Sequence, residues 1–412
     1  MTADPMDILI REMREDEARE SLKLSKKSFG FLEGLFITKP KSAVVAVAGE
    51  KIVGGAFYKV ERFGRKKLGI VDFIFVDPEM HGKGIGRQTY DNVIRLLWEQ
   101  GCDALMAIVR DDNVASWGMF AKSGFVRVSS LRLCGFLGFA GVAKLFLTTY
   151  GISIGHECYI AAPDKEDISR CGKTGKNAVQ VLAYLAINLM LAMVLILIAE
   201  NKLYPLIAAA FVLSGSVFAG YIATLFSKQM WRFRLIGGGI IACLSGMVVT
   251  PVASVFFFIP IVGNWYPASY VNSPQFRRAM AASSISTWVF LLLLPLFAII
   301  IRGSTPFFEY AATVASPLLI LKCFPMNPIS SYGGGRVYEW NKVVYWAFVT
   351  ITITAIAAPL IMRTFIRTEH VLPGNPDITI TETVEINPDI NLVRTVQEEA
   401  HYFETRCPKT SC

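Results

Sequence analysis

Histidine is scarce in this sequence: four in 412 residues, at His81, His156, His370 and His401. The apolar stretch 178–367 has none, so a zinc site of the His-Glu-x-x-His kind has no ligands there. His156-Glu157 does not supply one either, since Ile160 stands where the second histidine would be. The eight cysteines (Cys102, Cys134, Cys158, Cys171, Cys243, Cys323, Cys407 and Cys412) include no Cys-x-x-Cys and are expected to be reduced structural thiols. No metal is expected. Charge is sparse too, at 18% of residues. The net +8 does not form a solvated stripe; Lys and Arg mostly sit between apolar runs, which argues against nucleic acid and for positive-inside topology. Met1–Ile10 lacks a basic region followed by an apolar core, so no cleaved signal is expected and the N-terminal part should remain cytosolic.

What is abundant is apolar sequence, 53% of residues with a mean hydropathy of +0.44, concentrated after about Asn177. The reading is an α+β domain over 1–163, a charged Gly-containing linker over 164–177, and a polytopic all-α membrane domain over 178–367 with five or six segments. A polar tail over 368–412 completes it. The apolar runs lie at about 178–199, 204–226, 235–262, 285–301, 307–321 and 343–362. Thr250-Pro251 interrupts the third, which invites a re-entrant pair of half-helices. Lys228, Arg232 and Arg234 then fall inside, and with a re-entrant third run so do Arg277, Arg278, Lys322, Arg336 and Lys342.

The first domain is organised around residues 71–90. Leu68–Val76 reads as a strand placing Asp72, Ile74 and Val76 on one face and Phe73 and Phe75 on the other. Pro78 stops it, a glycine turn follows, and a helix runs from Arg87 to about Glu99. Gly82, Gly84 and Gly86 remove side chains so that consecutive N–H groups can converge at a helix N-terminus, where a pyrophosphate would sit. Around this core, Asp7–Arg11 is a strand, Asp16 caps a helix from Glu20 to Ser28, and Ser42–Ala48 with Lys51–Tyr58 forms a hairpin at Gly49-Glu50. Ala104–Arg110 is a strand, and a helix after Asn113 ends at Gly124 before a strand from Val126.

These residues resemble the Gcn5-related N-acetyltransferases. The resemblance runs over 6 to about 130 and is carried by the order of elements, by Val76-Asp-Pro, by His81-Gly-Lys-Gly-Ile-Gly86 in place of Arg/Gln-x-x-Gly-x-Gly, and by Asn113 through Gly124-Phe125. It implies a mixed sheet flanked by helices that binds acetyl-CoA and moves its acetyl group to an amine. The loop residues His81, Gly82, Lys83, Gly84, Ile85 and Gly86, with Arg87 opening the helix, would hold the pyrophosphate. Backbone groups at Phe75 and Val76 would orient the thioester carbonyl, and Asn113 would meet the pantetheine arm.

An amine nucleophile must lose a proton, commonly to a carboxylate through water. Asp72 is the first candidate base; the alternative is a carboxylate satisfied by neighbouring backbone. Glu33 and Glu61 are weaker candidates. Relatives often place a tyrosine where Phe120 stands, to protonate the leaving thiolate. Phe120 therefore lines the cofactor site without donating, and Tyr90 or water would take the acid role, unless the domain binds acyl-CoA without turnover.

Residues 131–150 form an apolar, Gly-containing insertion that lies either on the bilayer surface or in the core. The membrane body faintly resembles site-2 proteases through Arg232–Gly246, Pro260-Ile-Val-Gly and Pro328–Lys342. The metal motif would fall near Ser216–Gly220 and the third ligand near Gly333-Gly334, so the chemistry would be lost. The alternative is an unrelated helical anchor. In the tail, Asn375-Pro-Asp-Ile and Asn387-Pro-Asp-Ile flank a strand-like Ile378–Ile386, as a hairpin or a loose arm.

Two functions follow: a multi-pass cell-membrane N-acetyltransferase acting on a protein or small-molecule amine at the cytosolic face, or a non-catalytic acyl-CoA sensor whose body binds a membrane partner. A transporter is disfavoured, because paired intramembrane charges are missing.

Overall fold

In a computed structural model, residues 7–29, 34–111, 113–163, 175–227, 229–253, 258–267, 274–301, 306–325 and 329–369 are described. The chain divides into a unit over Met1–Ile356 and a second over Ala357–Cys412. Glu33, most of the linker and the tail strand fall outside the described residues.

The first unit begins with a seven-stranded sheet, ordered β1-β2-β3-β4-β5-β7-β6. Its strands are β1 (Ile8–Glu12), β2 (Ser42–Ala48), β3 (Lys51–Phe63), β4 (Lys66–Val76), β5 (Ala104–Arg110), β6 (Val126–Val128) and β7 (His156–Ala161). Only β4 and β5 run parallel. The expected hairpin closes at Gly49, whose φ of 62° a side chain would resist. Helix α1 (Ala18–Phe29) follows a 3-10 turn, Glu15–Glu17. Asp16 is not its cap: the Glu17 carboxylate accepts the Arg14 amide at 2.8 Å and a two-point Arg11 guanidinium contact at 2.8 and 2.5 Å.

Helices α2 (Ile85–Glu99) and α3 (Val114–Lys122) cover one face, where Tyr90, Val93, Leu97 and Phe120 pack on Val44, Val71 and Leu105. The other face takes α1 and α4 (Ser130–Thr148), the apolar insertion. Leu133, Leu137 and Leu145 bury against Leu68, Ile70 and Cys158, so α4 is a core helix, kinked at Gly138. It also turns Phe139 and Leu147 outward.

Beyond residue 175 come α5 (Asn177–Leu191), α6 (Met193–Ile198), α7 (Leu203–Leu225), α8 (Ile240–Ala253), α9 (Pro274–Ile300), α10 (Pro306–Lys322), α11 (Gly334–Trp340) and α12 (Lys342–Glu369). Among the described residues, two helices are long and apolar enough to cross a membrane, Leu203–Leu225 and Gln275–Ile300. The region is not all-α: β8 (Trp231–Leu235) pairs antiparallel with β9 (Gly263–Pro267). Among the described residues of the long third apolar run there is one 14-residue helix, Ile240–Ala253, and its two ends lead from β8 and towards β9.

Glycine explains where that run bends. Gly239 has a φ of 83°, and the Gly237–Gly239 main chain lies so close to Ser130 and the 153–156 turn that a Cβ has no room. Gly239 N–H donates to Tyr150 O and Ile241 N–H to Gly151 O. Ile154 joins Ile236, Val262 and Tyr266 in one apolar cluster, so the sheet and the helical body share a core.

Candidate functional site

The glycine turn leads into α2 with its donors uncovered. Gly82 and Gly84 hold φ of 80° and 77°, and a Cβ on either would meet nothing within 4 Å. Gly84 is the N-cap position, no side chain caps it, and no acidic residue stands in the first turn. Residues 81–84 are exposed. The result is a bare main-chain concavity at the positive end of a 15-residue helix, a place for phosphate oxygens. Gly86 is needed for a different reason: a Cβ there would press on Val76 at 3.3 Å.

The side chains around this turn divide into those facing it and those beneath it. Ile85 is buried under the sheet's edge, so only its amide faces the turn. Arg87 pairs with Asp91 at 2.9 Å and lies over the Tyr90 ring, with half of its side chain exposed. The Lys83 ammonium rests 3.3 Å from the Met80 sulfur, and His81 Nε2 lies 3.2 Å from Val76 O.

Strands β4 and β5 pair from Leu68–Ala104 to Val71–Ala107 and then part, although β4 continues to Val76. The end of β4 that no longer pairs with β5 leads into the turn. Phe75 is buried, leaving its main chain as the part able to meet a ligand, and Val76 is half-buried.

The expected alternation along β4 fails at Asp72. Tyr58 pairs with Val71 and Phe57 with Phe73, so Asp72 is the extra residue of a bulge. Val71 and Ile74, three apart, then pack on the α2 side, while Phe73 and Phe75 pack with Phe57 on the α1 side. Asp72 reaches Lys59 on β3, Nζ to Oδ1 at 3.3 Å, with 27% of its side chain exposed. Its partner is thus an ammonium group, not backbone. Burial raises its pKa above the ordinary carboxylate value, Lys59 opposes that rise, and Glu61 adds to it. Glu61 itself pairs with Lys144 of α4 at 3.6 Å.

Tyr90 and Phe120 meet edge to face at 5.2 Å, and Phe120 meets Phe125 at 5.0 Å. Both are core residues. The Tyr90 hydroxyl is fully buried beside Ser123, and burial pushes its pKa up to about 12 although a hydrogen bond with Ser123 opposes the rise. A group that holds its proton so firmly is a poor donor to a thiolate, whose ordinary pKa is about 8.5. Burial weighs against the acid role expected of Tyr90. Asn113 Oδ1 accepts the Ser116 N–H at 3.1 Å, making Asn113 the N-cap of α3.

Several residues escaped the sequence reading. Asp77 is buried and draws Lys27 at 3.1 Å and Lys51 at 3.7 Å, while Ser28 donates to Val76 O at 2.9 Å. These contacts tie the end of β4 to α1, and the signal for them was the carboxylate before Pro78. Asp111, just past β5, accepts Tyr266, Ser331 at 2.5 Å and Arg336 at 3.3 Å. Glu157 on β7 draws Arg127 at 2.5 Å and Arg234 at 3.7 Å. Arg234, Arg336 and Lys322 had been counted as loop charges; Arg336 is 4% and Lys322 6% exposed, and Arg234 pairs into the sheet. Ser216–Gly220 and Gly333-Gly334 face Ser283, Ser284 and Thr287, and among the described residues no cluster of metal-ligating side chains is present.

The model of the acetyltransferase (GNAT) family matches residues 4–125, so the N-terminal part is an acetyltransferase-family domain. A mycothiol acetyltransferase of Amycolatopsis mediterranei (strain U-32) is 28% identical over 95 residues, which are 23% of this chain and 31% of that protein. Among solved structures, the ribosomal-protein-S18-alanine N-acetyltransferase of Escherichia coli aligns at 15% identity over 42% of this chain and 98% of its own, with a TM-score of 0.28. PaiA N-acetyltransferase of Thermoplasma acidophilum, in complex with coenzyme A, aligns at 12% identity over 38% and 99%, with a TM-score of 0.28. Likeness to solved structures at this level decides nothing about substrate.

Proposed function

We propose that this chain transfers the acetyl group of acetyl-CoA to an amine, a protein amino group or a small molecule, at a cytosolic membrane face. The observation that carries the reading is the uncapped, glycine-flanked N-terminus of α2 beside the parted ends of β4 and β5. Amides of the 81–86 turn hold the pyrophosphate, and main-chain groups of Phe75 and Val76 hold the thioester carbonyl. Asn113 follows the end of β5, where it would meet the pantetheine arm, and Phe120 is buried in the core.

The amine nitrogen attacks the carbonyl carbon; the C–N bond forms and the C–S bond breaks. The nitrogen's proton passes to the Asp72 carboxylate, directly or through a water. The thiolate departs as an anion and takes its proton from solvent, which suits its low basicity and requires nothing of Phe120. The two long apolar helices, α7 and α9, support attachment to a lipid bilayer.

Thiol release from acetyl-CoA by the purified full chain, with a panel of amines, tests the reading. Amine-dependent release abolished by Asp72→Asn is the expected result. A second reading, an acyl-CoA sensor that regulates a membrane-protein partner, draws on Phe120 and the sequestered Tyr90; coenzyme binding with no release for any amine would establish it instead.

A further inference from the structure

The helical body holds a partly open cavity of about 50 Å³ of mixed lining, with Ser216, Ser284, Thr287, Asn264, Ser331 and Lys322 on its polar side and Leu291 and Leu318 on its apolar side. Such a volume holds a few waters or one small ion. Lys322 ends α10 and is 94% buried by its 6% exposure. Its ammonium donates to Tyr332 O at 3.0 Å, and among the described residues it has no carboxylate partner. The nearest buried cation, Arg336, takes Asp111. Burial, and then Arg336, lower the Lys322 pKa to about 7, and a bound anion would favour the charged form.

The neighbouring groups are arranged to leave the ammonium reachable. Gly333 holds a φ of 101°, and a Cβ there would stand 3.1 Å from Lys322 Nζ and 2.9 Å from Ser284 Oγ. The hydroxyls of Ser216, Ser283 and Thr287 spend their protons on main-chain carbonyls of α7 and α9. Lys322 and Ser284, which flank Gly333, are therefore among the donors facing the space, with Tyr184 and Asn264 also in its lining.

We infer that this cavity binds a small monoanion of carboxylate size, held by the Lys322 ammonium and the Ser284 hydroxyl. The site is separate from the acetyl-CoA cleft and does not depend on that reading.

The test is thermal unfolding of the purified full chain in detergent, titrating sodium acetate against sodium gluconate at constant ionic strength; gluconate is too large for the cavity. Wild type should gain a few degrees, saturably, with acetate. Lys322→Met should lose the acetate response and melt in gluconate no lower than wild type, because the lone buried charge is gone. Ser284→Val, which keeps Lys322 but fills the space, should lose the response as well. No acetate dependence in wild type, or an undiminished response in Ser284→Val or Lys322→Met, would overturn the assignment.

Discussion

Asp72 is the residue that the bulge inserts into β4. The bulge carries its carboxylate to the α1 side beside Lys59, where burial raises its pKa. A base with a raised pKa gives a rate that falls with acidification at a higher pH than an ordinary carboxylate would, and Asp72→Asn should lower turnover by about 10²- to 10⁴-fold. The same shift has an opposite sign for stability. A folded-state pKa above the unfolded value means ionisation opposes folding, with nothing lost below about pH 3.9 and the full cost present above the raised pKa. Asp72→Asn should therefore unfold at the same or a higher temperature than wild type at pH 7, and show no gain at pH 3. Tyr90 makes the contrasting case. Removing its sequestered hydroxyl in Tyr90→Phe should leave turnover within about twofold and lower stability by no more than about 1 kcal/mol, the net worth of its hydrogen bond with Ser123. A tenfold loss of turnover would restore it as the acid. The glycine spacing marks the turn at 82–86 in the sequence, while Asp72 is singled out by the resemblance to acetyltransferases. Neither signal could show the bulge, which depends on how β3 registers with β4.

Elements were legible where periodicity or glycine marks them. The β2–β3 hairpin, the strand ending at Val76 and the helix opening at Gly84 follow from such local signals. The β8–β9 ribbon was not legible, because Trp231–Leu235 sits between apolar runs and only its partner, over thirty residues on, makes it a strand. The basic residues were misread for a related reason: Arg234 and Arg336 look like loop charges until Glu157 and Asp111 on the sheet are brought to them. That ion-paired seam between the sheet ends and the ribbon has a measurable cost. Asp111→Ala removes the carboxylate that buried Arg336 pairs with and should destabilise the full chain by about 1–3 kcal/mol in denaturant unfolding, Arg336 keeping its bond to Trp265 O. A loss below 1 kcal/mol would mean that Arg336 finds water or another acid.

Across the whole molecule, the sheet and the helices up to Ile356 share a core and a network of buried charges. Calorimetry of the full chain should show sheet and helical body unfolding in one transition, and truncation at residue 163 should lower the melting temperature of the remaining domain by exposing Ile154, Asp111 and Glu157. Two separated transitions would contradict this. Catalysis is then best assayed on the intact protein, with its two long apolar helices in place. The central claim is that bare main chain at the start of α2 grips the diphosphate of a thioester carrier, and titration calorimetry of acetyl-CoA into full-length wild type, Gly84→Ala and Gly101→Ala tests it most directly. Gly84 and Gly101 both hold positive φ, at 77° and 69°, with open space where a Cβ would go, so each alanine carries a similar strain. The account predicts tight binding by wild type and Gly101→Ala and at least a tenfold loss in Gly84→Ala. No heat of binding in wild type, or equal affinity in both variants, would contradict it.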